Sequence, residues 1–209
     1  MRTTSFCIPA VAGALLLPAA LQGQPTQMTV AACERTVVEN RTLSVARNVA
    51  SRVFENAGIH VRWEDAGDCL QLSAHSRFLV VVDSRPPAGW TSEDAMGFAP
   101  SQTTECRRAY VFLDRVRAFV AINVPERLRQ EADGIILGHV IAHELGHLLL
   151  PGAQHEAGGI MRGRWKYAQW RNAALGLLLF RPAQAAAMQR QAAIRTVPAV
   201  RTVPAAGCG

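Results

Sequence analysis

The chain has 209 residues, of which 49% are hydrophobic and 18% charged, with a formal net charge of +6. That composition describes a globular domain with enough chain for a real core, and it excludes an intrinsically disordered or collagen-like protein. Nor does the positive charge point to nucleic acid: Lys166 is the only lysine among the 22 basic residues, and the arginines are not interleaved with aromatic residues in a recognition motif.

Taken in chain order, residues 1–23 read as a signal peptide. Arg2 is the only charge before Glu34, an apolar run spans Phe6 to Leu21, and the small residues Ala19 and Ala20 precede an expected cleavage between Ala20 and Gln24. The run contains Pro9 and Pro18 and falls short of the ~20 apolar residues a bilayer span takes. The expected location is therefore secreted or periplasmic, without stable membrane insertion after the leader is removed. Residues 24–194 are read as one domain. Residues 195–209 carry two copies of Arg-Thr-Val-Pro-Ala and are read as a flexible tail.

Four cysteines follow the leader: Cys33, Cys69, Cys106 and Cys208. An even count in an exported chain implies disulfides, and four cysteines allow three pairings. The preferred pairing is Cys69 with Cys106, which flank the predicted central strands, with Cys33 and Cys208 closing the chain or remaining free. A free Cys33 is also a candidate zinc-blocking thiolate.

Residues 25–34 read as an extended lead-in. From about Arg35 to Asn56 apolar residues recur at three- and four-residue intervals, as one buried helical face requires, and Gly58 supplies the C-cap. Strands are expected at Ile59–Trp63, Phe78–Val82 and Ala109–Leu113, with Pro86 and Pro87 breaking the loop after the second. Pro125 opens a long helix over about Glu126–Leu150 that Pro151 and Gly152 stop. Two more helices are expected at Tyr167–Phe180 and Pro182–Ile194. The fold class is α+β: a small twisted mixed sheet packed on one long helix, with helices following a turn near Met161.

The chemistry lies in His143-Glu144-Leu145-Gly146-His147. Histidines four apart share one helical face, so both imidazoles can reach one tetrahedral metal. Glu144 is displaced around the helix, outside the ligand set but within reach of an attacking water, where it serves as general base. The flanking residues Ile136, Val140, Ile141, Leu148 and Leu149 are apolar, so the helix is expected to be buried, and polar groups there need a partner. Zn2+ supplies it. His155 is the expected third ligand, because Pro151 and Gly152 end the helix and Gly152 permits the positive φ that a chain reversal needs. Glu156 is the acidic alternative; no Asp or Glu follows it. His139 is read mainly as a packing histidine, and His60 and His75 carry no constellation. The basic run Arg162, Arg164, Lys166 and Arg171 is read as a solvated face, or as a preference for acidic side chains.

The segment His143-Glu-Leu-Gly-His147, Gly152-x-x-His155 and Gly159-Ile160-Met161 resembles the metzincin clan of zinc peptidases. Those proteins carry HExxHxxGxxH and a Met-turn that sets a methionine beneath the three histidines. Four residues separate His147 from the glycine here, where the family has two, which implies a longer last helical turn. Gly97-Phe98-Ala99-Pro100 is similar to the matrixin-type segment ahead of the active-site helix. By that analogy Ala109–Leu113, or the segment just before it, would pair with an extended substrate. The resemblance implies a catalytic domain over 24–194 with Met161 in the Met-turn. It implies an exported zinc metalloendopeptidase acting on peptides or proteins through zinc-activated water, with Glu144 as general base. The competing reading is a catalytically weak zincin-fold protein that binds zinc and serves as an interaction module of the cell envelope; retention of Glu144 favours the enzyme.

Overall fold

The computed structural model describes residues 26–66, 69, 78–92, 94–100, 107–150, 152 and 155–196. The expected signal peptide, His75, Cys106, Cys208 and the tail from 197 onward lie outside the described residues. Among those described, no helix is long and apolar enough to cross a membrane.

A five-stranded sheet runs in the order β2-β1-β3-β5-β4. Its strands are β1 (Thr26–Glu34), β2 (Ile59–Asp65), β3 (Phe78–Asp83), β4 (Gly97–Phe98) and β5 (Arg108–Phe112). The first four in spatial order are parallel and β4 closes the sheet antiparallel to β5, so the sheet is mixed as expected. The residues read as a lead-in are the strand β1, paired on both sides. Its alternation sends Met28 and Val30 into the main core and Ala31 and Cys33 to the opposite face. Alanine, threonine and glutamine dilute the β-branched signal, and the pairing with β2 and β3 supplies what local propensity lacks.

Among the described residues there are five α-helices: α1 (Asn40–Asn56), α2 (Leu113–Asn123), α3 (Arg129–Leu149), α4 (Tyr167–Ala174) and α5 (Pro182–Thr196). Helix α2 was not expected. Leu113, Val116 and Val120 are buried on one side of it at helical spacing, a period that the strong strand before it and Pro125 after it obscure. A short 3-10 turn at Glu126–Leu128 then leads into α3. Helix α4 stops well before Phe180. Gly176 adopts φ 69°, and the Leu177 and Gly176 amides donate to the Asn172 and Ala173 carbonyls, which is a Schellman termination.

The main core lies between the sheet and α1, α3 and α5. Helix α3 is buried along nearly its whole length, and α1 approaches it at two glycines. A Cβ on Gly134 would stand 2.8 Å from Val45 Cβ, and one on Gly138 would stand 2.5 Å from the Ala46 carbonyl oxygen. Glycine costs a helix interior about 1 kcal/mol relative to alanine; here it lets two backbones pack without side chains between them.

The disulfide joins Cys33 to Cys69, with Cα atoms 5.4 Å apart, and not Cys69 to Cys106. β2 lies beside β1, so chain leaving β2 at Asp65 passes directly over the face on which Cys33 sits with Leu79 and Val81. Cys33 therefore carries no free thiolate, and it lies on the sheet face turned away from α3.

The α1–α3 contact makes a clear prediction. Gly138→Ala should lower unfolding stability by about 1–3 kcal/mol despite alanine's better helix propensity, because the methyl meets backbone that cannot swing aside. Urea unfolding of wild type and variant measures it, and an unchanged or higher midpoint would show that the helices do not meet there.

Candidate metal centre

Helix α3 carries His143, Glu144 and His147 in its last two turns. Leu150, with ψ 124°, leaves the helix, and Gly152 takes φ 61°, the reversal expected of that position. The helix stops at Leu149, so the longer interval to the third histidine is taken up in the turn and not in extra helix. Glu156 N–H then donates to the Met161 carbonyl at 2.9 Å, closing a loop in which Gly159 has φ 69°.

Those turns bring three imidazoles together. His147 Nε2 lies 3.0 Å from His143 Nε2 and 3.2 Å from His155 Nε2. One ligand atom from each of the three residues falls within 4.8 Å of the others. His143 Nδ1–H donates to the Ile160 carbonyl at 2.7 Å, which fixes the tautomer and leaves Nε2 as the free lone pair. Burial, reinforced by His147 and His155 and opposed by the Ile160 carbonyl, holds His143 down to about 3. It is therefore the neutral imidazole that a metal requires.

The donor set fits zinc. Lone pairs on convergent imidazole nitrogens repel one another at these separations unless a cation or a proton lies among them. Tetrahedral coordination with Zn–N of about 2.0–2.1 Å puts ligand nitrogens about 3.3 Å apart, close to the spacing seen. Glu156, the acidic alternative to His155, is not in the convergent group. Its carboxylate pairs with Arg181 at 3.4 Å.

Glu144 is 5% exposed and flanks the histidines at the wall of a cleft of about 650 Å³. Burial pushes its carboxyl up to about 8, and a dication beside it would draw that value down. The rim opposite is β4. A Cβ on Gly97 would stand 2.7 Å from Glu144 Cγ and Oε1 and 2.8 Å from the Tyr110 carbonyl oxygen. Strand β5, one of the segments expected to meet a substrate, lies between β3 and β4, and β4 covers it at Tyr110 and Val111; β4 is the edge strand on this side.

Two further glycines serve the site. A Cβ on Gly146 would meet Met161 Sδ and Phe180 Cε1, both at 2.8 Å, so fully buried Met161 rests against α3 between the two helical histidines. A Cβ on Gly163 would lie 2.7 Å from His155 Nδ1, so the third imidazole packs on bare backbone. Trp165 stands edge-on to His143 with ring centroids 5.9 Å apart. The sequence reading gave no role to Trp165, to the Ile160 carbonyl or to the room that Gly97 and Gly163 leave for Glu144 and His155. Glycines near a ligand motif are the one visible trace of them.

The remaining histidines fall elsewhere. His60 is exposed on β2, 3.9 Å from Glu55. His139 points into the gap among α1, α3 and α4, beside Arg52 and Ala173. It is 2% exposed and its Nδ1–H donates to the Ile135 carbonyl at 2.8 Å. Burial chiefly, and Arg52 in addition, hold it down to about 4 against the pull of that hydrogen bond.

His139 gives a pH prediction. Unfolded, it titrates near 6.5, so between that value and about 4 the unfolded chain binds the extra proton. Its contribution is present above 6.5 and lost as pH falls. Metal-free His139→Asn should therefore lose about 2 kcal/mol less stability than metal-free wild type between pH 7 and pH 5. Urea titrations at each pH test this, and parallel stability profiles would contradict a buried neutral His139.

No protein-family model matches the chain, and no curated protein matches its sequence. Among solved structures it is similar to the crystal structure of archaemetzincin from Methanopyrus kandleri, with a TM-score of 0.51 and 15% identity. The match covers 82% of this chain and 98% of that one. The chain thus shares its fold with an archaemetzincin, over nearly the whole of that protein.

Proposed function

We propose that this chain is an exported zinc-dependent metalloendopeptidase. The observation that carries the reading is the convergence of three imidazole nitrogens beside a buried carboxylate in an open cleft. His143, His147 and His155 would hold the ion. Bound there, zinc supplies a Lewis acid for a substrate carbonyl and lowers the pKa of water to about 7. Glu144 takes the proton of the attacking water and returns it to the leaving amine nitrogen. The Gly159–Met161 segment serves as a Met-turn, holding the floor of the site against Gly146. The edge of β4 offers main-chain groups to an extended peptide, and Trp90, which also lines the cleft, packs on that strand with its ring 4.8 Å from Phe98 and 5.8 Å from Phe112. The leader pattern over residues 1–23 and the Cys33–Cys69 disulfide both favour an oxidising, exported setting.

The first test is metal content with a Glu144→Gln comparison. Purified protein should carry about one zinc per chain. Glu144→Gln should keep that zinc and lose at least ~100-fold in peptide cleavage, whereas His147→Ala should lose both. Cleavage by Glu144→Gln at the wild-type rate would remove the general-base role, and a metal-free wild type would remove the whole reading.

Gly97 makes a second test. Gly97→Ala should retain zinc but lower kcat more than it raises KM, because the methyl displaces the Glu144 carboxylate while leaving the rest of the cleft in place. An unchanged kcat would mean that Glu144 works from another position.

A further inference from the structure

The basic run after Met161 does not behave as one solvated face. Arg162, Arg164 and Lys166 line the cleft, while Arg171 on α4 does not. Arg164 is taken by Asp94 across the cleft mouth at 2.9 Å, and both side chains are largely exposed. Arg162 is held differently. Its Nη1 donates to the Ala157 carbonyl at 2.8 Å and its Nε to the Arg164 carbonyl at 3.0 Å. Its backbone bridges Glu156 and bonds Gly159. No carboxylate among the described residues pairs with it. Two of its five N–H groups are used on neutral carbonyls, and three remain with an uncompensated positive charge.

A half-buried guanidinium anchored by two backbone carbonyls has already lost the rotamer freedom that usually weakens an arginine contact. It sits between Met161 and Gly163, and Gly163 is the residue on which His155 rests. The fixed cation therefore belongs to the wall that carries the third imidazole. Cleft-lining charges among the described residues reinforce it, with four basic side chains against Asp94 and Glu144. Asp94 is engaged by Arg164, and Glu144 is buried beside the histidines.

We infer that Arg162 is a specificity-determining residue that binds a substrate carboxylate, so that the cleft selects acidic peptides over neutral ones. The inference rests on the peptide-binding reading of the cleft. The carboxylate can belong to an Asp or Glu side chain or to the free C-terminus of the peptide. A guanidinium with paired N–H groups matches either through two parallel hydrogen bonds.

The test uses zinc-loaded full-length protein and matched peptides that differ in one group. One series replaces Glu by Gln at successive positions, and the other replaces the C-terminal carboxylate by an amide. Binding is read by calorimetry and cleavage by mass spectrometry on the same peptides. The expected result is at least ~10-fold tighter binding of one acidic member of a pair, one charge-assisted contact's worth. The position or series in which it occurs identifies the source. Arg162→Gln should erase that ratio, and Arg162→Lys should restore part of it. Equal affinity across every wild-type pair overturns the inference whatever the variants do, including a variant that folds poorly. Acidic preference in binding without cleavage sustains the role of Arg162 and removes the peptidase; cleavage without acidic preference does the reverse.

Discussion

The site depends on the hydrogen bond from His143 Nδ1 to the Ile160 carbonyl. It joins the buried end of α3 to the turn that follows His155, two segments separated by an irregular stretch of chain. The carbonyl can only accept, so the proton must stand on Nδ1 and the lone pair on Nε2 must face His147 and His155. Ile160 is itself anchored, since its amide donates to the Leu179 carbonyl in the segment between α4 and α5. The path from the C-terminal helices to the ligand set is thus a chain of backbone bonds, and backbone bonds hold an imidazole to the few tenths of an ångström that coordination demands.

Steric room is the second constraint. Glu144, Met161 and His155 each lie where a neighbouring residue has no side chain: Gly97 beneath the carboxylate, Gly146 beneath the sulfur and Gly163 beneath the imidazole. Helix α3 repeats the device away from the chemistry, at Gly134 and Gly138 against α1. A helix carrying three interior glycines is poor by local propensity and stands because tertiary packing surrounds it on all sides. The same packing that holds this helix buries Glu144 and His143 among its last turns.

What the sequence made legible follows the same division. The histidine spacing on a helix, the long apolar helix, the Gly152 reversal and the strands at Ile59, Phe78 and Ala109 are carried by local periodicity or by one diagnostic residue, and each is present. β1 was missed because its strand character comes from pairing on both sides and not from its own residues. Helix α2 was missed because its apolar positions 113, 116 and 120 are few and begin inside a strong strand signal. The disulfide pairing depended on β2 lying next to β1, a fact of sheet order that no local pattern encodes. The steric roles of Gly97 and Gly163 were not legible, because the groups they make room for, Glu144 and His155, are brought to them only by the fold.

A site fixed in this way leaves most of the chain free to vary. Two histidines and a glutamate need a helical spacing; a third histidine needs a turn that returns it to them; and three positions need the absence of a side chain. The rest of the main core consists of aliphatic and alanine positions, where substitutions of similar volume cost little as long as the pattern is kept. His147 lies in the last turn of α3 and His155 beyond the reversal at Gly152, and the two imidazoles still meet. Sequence identity over such a fold can fall very low while the few constrained positions hold the centre in place. Arg162 stands on the cleft wall outside both the histidine cluster and the main core, held by the Ala157 and Arg164 carbonyls.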